Sequence, residues 1–113
     1  MKKTNLAFTV TGIRHYQGPF PFEKGMLVKC VKEPKNKYDK EAIRVKLPHL
    51  DKVGYIANSS YTVEHGTISA GRLYDQVGKK FYGRVLYIMP DKVICEVVEG
   101  KKSKMKKKYK EEE

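Results

Sequence analysis

Apolar and polar positions alternate with period two over most of this chain, and that alternation predicts strands rather than helices. Leu6, Phe8 and Val10 alternate with Ala7, Thr9 and Thr11, so Leu6 to Ile13 reads as a first strand, ended or bulged at Gly12. Arg14 to Phe22 carries two prolines and reads as a loop. Met26 to Glu33 is a second strand, and Pro34 opens a polar loop that runs to Asp39. Ala42 to Leu47 places Ile43, Val45 and Leu47 on one face of a third strand. Pro48 to Asp51 turns the chain into a fourth, Lys52 to Ile56.

The alternation stops at Asn58. Ser59 and Ser60 suit the N-terminus of a helical turn over Tyr61 to His65. Leu73 and Val77 stand four apart in a short helix predicted over Ala70 to Val77, with Gly78 as its stop. Phe81 to Met89 and Val93 to Glu99 then form a hairpin about Pro90-Asp91-Lys92. The pattern lacks the strand–helix alternation of a parallel sheet. It predicts a mainly β domain, a small OB-like or SH3-like β-barrel of about six strands with a short helical insertion.

Length and charge narrow this picture. The 113 residues allow one domain, expected over residues 1–100. Residues 101–113, KKSKMKKKYKEEE, have only Met105 and Tyr109 as large apolar residues, so they read as a flexible lysine-rich tail; a Ser103 to Tyr109 helix is the rival. The formal net charge is +11, of which the tail's seven lysines and three glutamates supply +4. Residues 1–100 keep 17 basic and 10 acidic residues, so the domain itself is basic and suits a polyanionic partner.

Other classes lose support. Cys30 and Cys95 sit in alternating apolar runs and read as reduced core thiols, without the spacing of a zinc site. His15, His49 and His65 lack metal-ligand spacing. No nucleophile elbow or phosphate-binding glycine loop occurs, so neither catalysis nor a cofactor is expected. Glu33 and Asp39 could pair as carboxylates, but a loop-edge charge and a turn-former explain them more simply. No apolar run reaches membrane-spanning length, and the start has no signal-peptide core; a cytoplasmic monomer is the expectation.

The informative residues are polar and aromatic ones gathered in loops. Arg14-His15-Tyr16 follows the first strand, and Lys35 to Lys40 follows the second. Tyr38 lies among lysines and an asparagine, where a ring either covers the barrel end or stacks on a base.

These segments carry a resemblance. FTVTGIRHYQG, then LVKCVKEPKNKYDKEAIRVKL, then KVGYI resemble the HIRAN family pattern, with Glu33, Pro34, Asn36, Tyr38, Asp39, Ala42, Ile43 and Val45 as its core. HIRAN domains are OB-like barrels, fused to remodelling helicases or standing alone in bacteria and phages. The resemblance implies a non-catalytic module that grips the 3′-hydroxyl end of single-stranded DNA in repair, replication or phage DNA metabolism. By it, Tyr38 and the loop of His15 and Tyr16 would stack on terminal bases, Asp39 would accept the 3′-hydroxyl, Asn36 would bond the last nucleotide, and Arg14 would contact phosphate. Three positions depart from the pattern. His15 stands in place of a stacking tyrosine, Tyr55 in place of a histidine, and Asn58 in place of a phosphate-binding lysine. A helicase or nuclease is the partner implied. A basic scaffolding domain serving a DNA-processing enzyme is the alternative.

Overall fold

The computed structural model describes residues 6–99 and 102–111. The expected domain start at residues 1–5 and the boundary at Gly100 lie outside the described residues. Six strands form: β1 (Ala7–Thr11), β2 (Leu27–Lys32), β3 (Ile43–Leu47), β4 (Leu50–Ile56), β5 (Lys80–Ile88) and β6 (Val93–Val98). They close into a barrel in the order β1-β4-β3-β2-β5-β6. Every neighbouring pair is antiparallel. The fold class read from the alternation is therefore the fold observed.

The alternating residues fill the barrel. Phe8, Val10, Val28, Val45, Val53, Val85 and Val93 are buried, and the Phe8 and Phe81 rings meet edge to face at 6.2 Å. Cys30 and Cys95 are free and buried in the same core. Burial, and for Cys30 also the nearby Cys95, pushes both thiols above their ordinary values, so neither is a ready nucleophile.

Gly54 explains one letter of the KVGYI run. A Cβ there would lie 2.8 Å from the Thr11 carbonyl oxygen and 2.8 Å from Val10 Cγ1. Only a glycine lets β4 approach the end of β1 so closely. Gly54→Ala is expected to cost about 1–3 kcal/mol, the usual range for overpacking a filled core. Urea denaturation checks this, and an unchanged midpoint would show that the two strands can separate freely.

The segment between β4 and β5 is tied down by a buried threonine. Thr9 Oγ1 accepts the Glu64 N–H at 3.1 Å and lies 2.8 Å from Thr67 Oγ1. Ser59 caps a single turn there, one register earlier than the helical turn expected over Tyr61 to His65, with Val63 N–H on Ser59 O and Tyr61 N–H on Ser59 Oγ. The second predicted helix forms as α1 (Ala70–Tyr74), capped by Ser69, and ends before the expected stop at Gly78. Leu50 and Asp51, expected in a turn, already belong to β4.

The largest departure concerns the tail. Lys102–Glu111 forms a second helix, α2, where the composition suggested mobile chain. Met105 and Tyr109, four residues apart, fall on one helix face and are buried with Leu27 and Tyr82 on the outside of the barrel. The Tyr109 and Tyr82 rings meet at 5.7 Å. Two apolar residues at helical spacing thus outweighed the lysine run, because β2 and β5 present an apolar patch for them.

A candidate nucleic-acid interface at the barrel end

The site is built on the loop from Pro34 to Glu41, between β2 and β3. Asn36 shapes it. Its Oδ1 accepts the backbone N–H groups of Tyr38 and Asp39 at 2.9 and 3.0 Å. Its Nδ2 donates to Glu33 Oε1 at 2.9 Å. This Asx-type turn makes the chain reverse within a few residues and pushes Tyr38 outward. The Tyr38 side chain is 96% exposed, so it covers nothing.

Asp39 is held at both carboxylate oxygens. Oδ1 accepts the Glu41 N–H at 2.9 Å, and Oδ2 accepts Asn58 Nδ2 at 3.1 Å. Asn58 also donates to Glu41 Oε1 at 3.3 Å and accepts the Gly71 N–H at 2.8 Å. Asn58 is therefore a clamp that joins the loop to the start of α1. A Cβ on Gly71 would stand 2.6 Å from Glu41 Oε1, so the glycine leaves room for this network.

Tyr55 forms the floor. Its hydroxyl donates to Glu33 Oε1 at 3.0 Å, and Lys52 Nζ lies 5.3 Å from the ring centroid. Burial raises the Tyr55 phenol above its ordinary value, Lys52 opposes this, and Glu33 adds to it. The hydrogen bond to Tyr55 in turn raises the Lys52 ammonium. At neutral pH the pair is thus a neutral donor beside a cation. Glu33 Oε2 faces Arg44 Nε at 3.6 Å, so Glu33 belongs to the support beneath the loop and does not pair with Asp39.

Together these residues line a groove of about 560 Å³. Tyr16, Asn36, Tyr38, Asp39, Tyr55 and Asn58 all reach it, although they come from three separate stretches of sequence. Arg14 and His15 do not line it; they are exposed on the 3-10 turn Ile13–His15 that follows β1. Gly12, at φ 72°, starts that turn in a conformation that favours glycine. Of the Arg14-His15-Tyr16 run, only Tyr16 is carried into the groove.

Lys52, Ser59 and Thr62 also line the groove, and nothing in the sequence singles them out. One lysine among many, and hydroxyl residues in a loop, carry no distinguishing signal. Tyr61, in the chain between Ser59 and Thr62, is 95% exposed and does not line the groove.

Chemically, the groove offers aromatic faces, amides, one lining ammonium and a rigid carboxylate. That set suits stacking and hydrogen-bond recognition. Among the described residues no three His, Cys, Asp or Glu gather into a metal-holding group. No described helix is long and apolar enough to cross a membrane.

A closed, six-stranded antiparallel barrel with an aromatic-lined groove places the chain among the small OB-like β-barrels. The HIRAN domain model matches residues 3–97, and the chain belongs to the HIRAN domain family, whose members are DNA-binding modules and generally non-catalytic. A crystal structure of a protein from Lactobacillus plantarum is similar, with TM-score 0.60 and 27% identity, covering 83% of this chain and 91% of that one. The crystal structure of the HIRAN domain of human HLTF superposes with TM-score 0.55 and 22% identity, covering 91% of this chain and 81% of that one. The second likeness concerns the fold alone. No curated protein matches the chain.

Proposed function

We propose that this protein binds single-stranded DNA in the groove and prefers a free 3′-hydroxyl end, without catalysis. The observation that carries this reading is the Asp39 carboxylate, held rigid beside the bare Tyr38 ring. A terminal base stacks on Tyr38, and Tyr16 and Tyr55 supply further ring surface. The 3′-hydroxyl donates to Asp39, which as an ionised carboxylate can only accept. Each Asp39 oxygen retains acceptor capacity beyond the bond it already makes. Glu41, beside Asp39, adds negative charge, so a terminal phosphate or a continuing strand is repelled there.

Asn36 and Asn58 act mainly by holding the loop, because their amides are already engaged with it. Arg14 and His15 stand next to Tyr16 and contact the phosphates of the strand as it leaves. The unit works as a cytoplasmic monomer alongside a helicase or nuclease in DNA repair, replication or phage DNA metabolism.

Matched oligonucleotides that differ only at the 3′ terminus test the proposal. Affinity is expected to fall from hydroxyl to a 3′-deoxy terminus and further to 3′-phosphate. Equal affinity for all three would end the claim of end recognition. Loss of all binding at moderate salt, for ends and interiors alike, would instead favour a basic scaffolding domain.

A further inference from the structure

α2 packs on the outer wall of the barrel over β2 and β5, and none of the residues that line the groove belongs to that wall. Its burial mode leaves a lysine surface there. With Met105 and Tyr109 turned inward, Lys106 and Lys110 share one flank of the helix, four residues apart. Lys29 lies on β2, opposite Tyr82 of β5, and Lys80 pairs with Val31 two residues along. Partial burial, together with the like charges of Lys80, Lys46, Lys106 and Lys110, holds the Lys29 ammonium below its ordinary value. Lys46 is already paired with Asp51 at 3.3 Å, which leaves its ammonium less available to a further anion.

We propose that Lys29, Lys80, Lys106 and Lys110 form a second nucleic-acid surface, independent of the groove, that binds the phosphate backbone of duplex DNA. Four ammonium groups gathered from two strands and a helix repel one another, and a row of phosphates relieves that repulsion. The surface has no ring to stack on, because Tyr82 and Tyr109 are buried against each other. Without a stacking platform it is unsuited to single strands, but phosphate contact alone suffices for a duplex. A membrane is disfavoured for a related reason. An interfacial helix lays an apolar face into lipid, and the apolar face of α2 is spent on the barrel. An acidic protein would lack the buried aromatic or aliphatic anchor on which stable interfaces depend.

The test uses the full chain and two probes: a duplex whose ends are both closed by hairpin loops, and a short single strand. Wild-type protein is expected to bind the closed duplex with a log–log salt slope near −3.6, about 0.9 for each of four phosphates. Lys106→Gln/Lys110→Gln is expected to reduce the slope by about 1.8, and Lys29→Gln/Lys80→Gln by a similar amount. Single-strand affinity is expected to change less than twofold in both. Glutamine keeps the helix propensity of lysine, and circular dichroism with a melting curve verifies that α2 stays docked. No closed-duplex binding by wild type, or an unchanged slope in either double variant, would overturn the proposal. So would binding to phosphatidylserine vesicles that DNA does not compete away.

Discussion

Tyr38→Ala is expected to weaken binding of every single strand by about 1–3 kcal/mol whatever its terminus, the loss of one stacked base. Fold stability should not change, because the 96% exposed ring has no packing to lose. Asp39 is expected to fail differently. Asp39→Ala removes a charged acceptor, so affinity for a 3′-hydroxyl end should fall by about 1.5–3 kcal/mol, while tolerance of a 3′-phosphate improves. The same change also removes the Oδ1 bond to the Glu41 N–H and the Oδ2 bond to Asn58, so some stability goes with it. Asp39→Ser separates the two effects. A serine hydroxyl can still accept the N–H two residues on but carries no charge. Both variants should shift the hydroxyl-to-phosphate affinity ratio, and alanine should lower the melting temperature more. If the ratio stayed constant in both, Asp39 would be a turn-former only.

Releasing α2 is expected to have the next largest effect, on stability. Met105 and Tyr109 are 8% and 6% exposed, and burying one such side chain contributes roughly 1.5–3 kcal/mol. The helix has little support of its own. Ten residues are too few for an isolated helix in water. Lys104 with Lys108, and Lys106 with Lys110, place like charges four apart. Losing either anchor should therefore free the whole element and bare Leu27 and Tyr82. Met105→Ala and Tyr109→Ala are each expected to cost about 2 kcal/mol, and the double variant clearly less than their sum. Urea midpoints measure the energies, and amide exchange over 102–111 reports the release. Added salt should slow exchange in the wild type by screening the lysines. A fully additive double variant with α2 still protected would contradict the two-anchor picture.

Both results bear on how legible the molecule was. The strands were written plainly, since a half-buried sheet demands period-two alternation and turn residues end it. Tyr38 stood out as a ring among lysines, and Asp39 through the family resemblance. The Asx-type turn by which Asn36 holds both was not read from the sequence, which gave Asn36 to a nucleotide instead. The Asn58 clamp was not legible either, because its partners are 17 and 19 residues upstream and 13 downstream. Nothing in an isolated asparagine says which distant carboxylates it will meet.

By itself, then, the sequence determined the β class, the six strands and the place of the polar loop that bears Tyr38, because each depends on near neighbours and simple periodicity. Only the tertiary structure decided that Tyr16 enters the groove while Arg14 and His15 stay outside it. That choice comes from where the 3-10 turn after Gly12 points once β1 is pinned against β4 at Gly54. Tertiary structure also decided the fate of the lysine run. Met105 and Tyr109 are too few to predict a stable helix, and they form one because closing the barrel leaves Leu27 and Tyr82 side by side on its outer face. A helix with weak propensity is settled by the surface it meets, and that surface does not exist until β2 and β5 have paired.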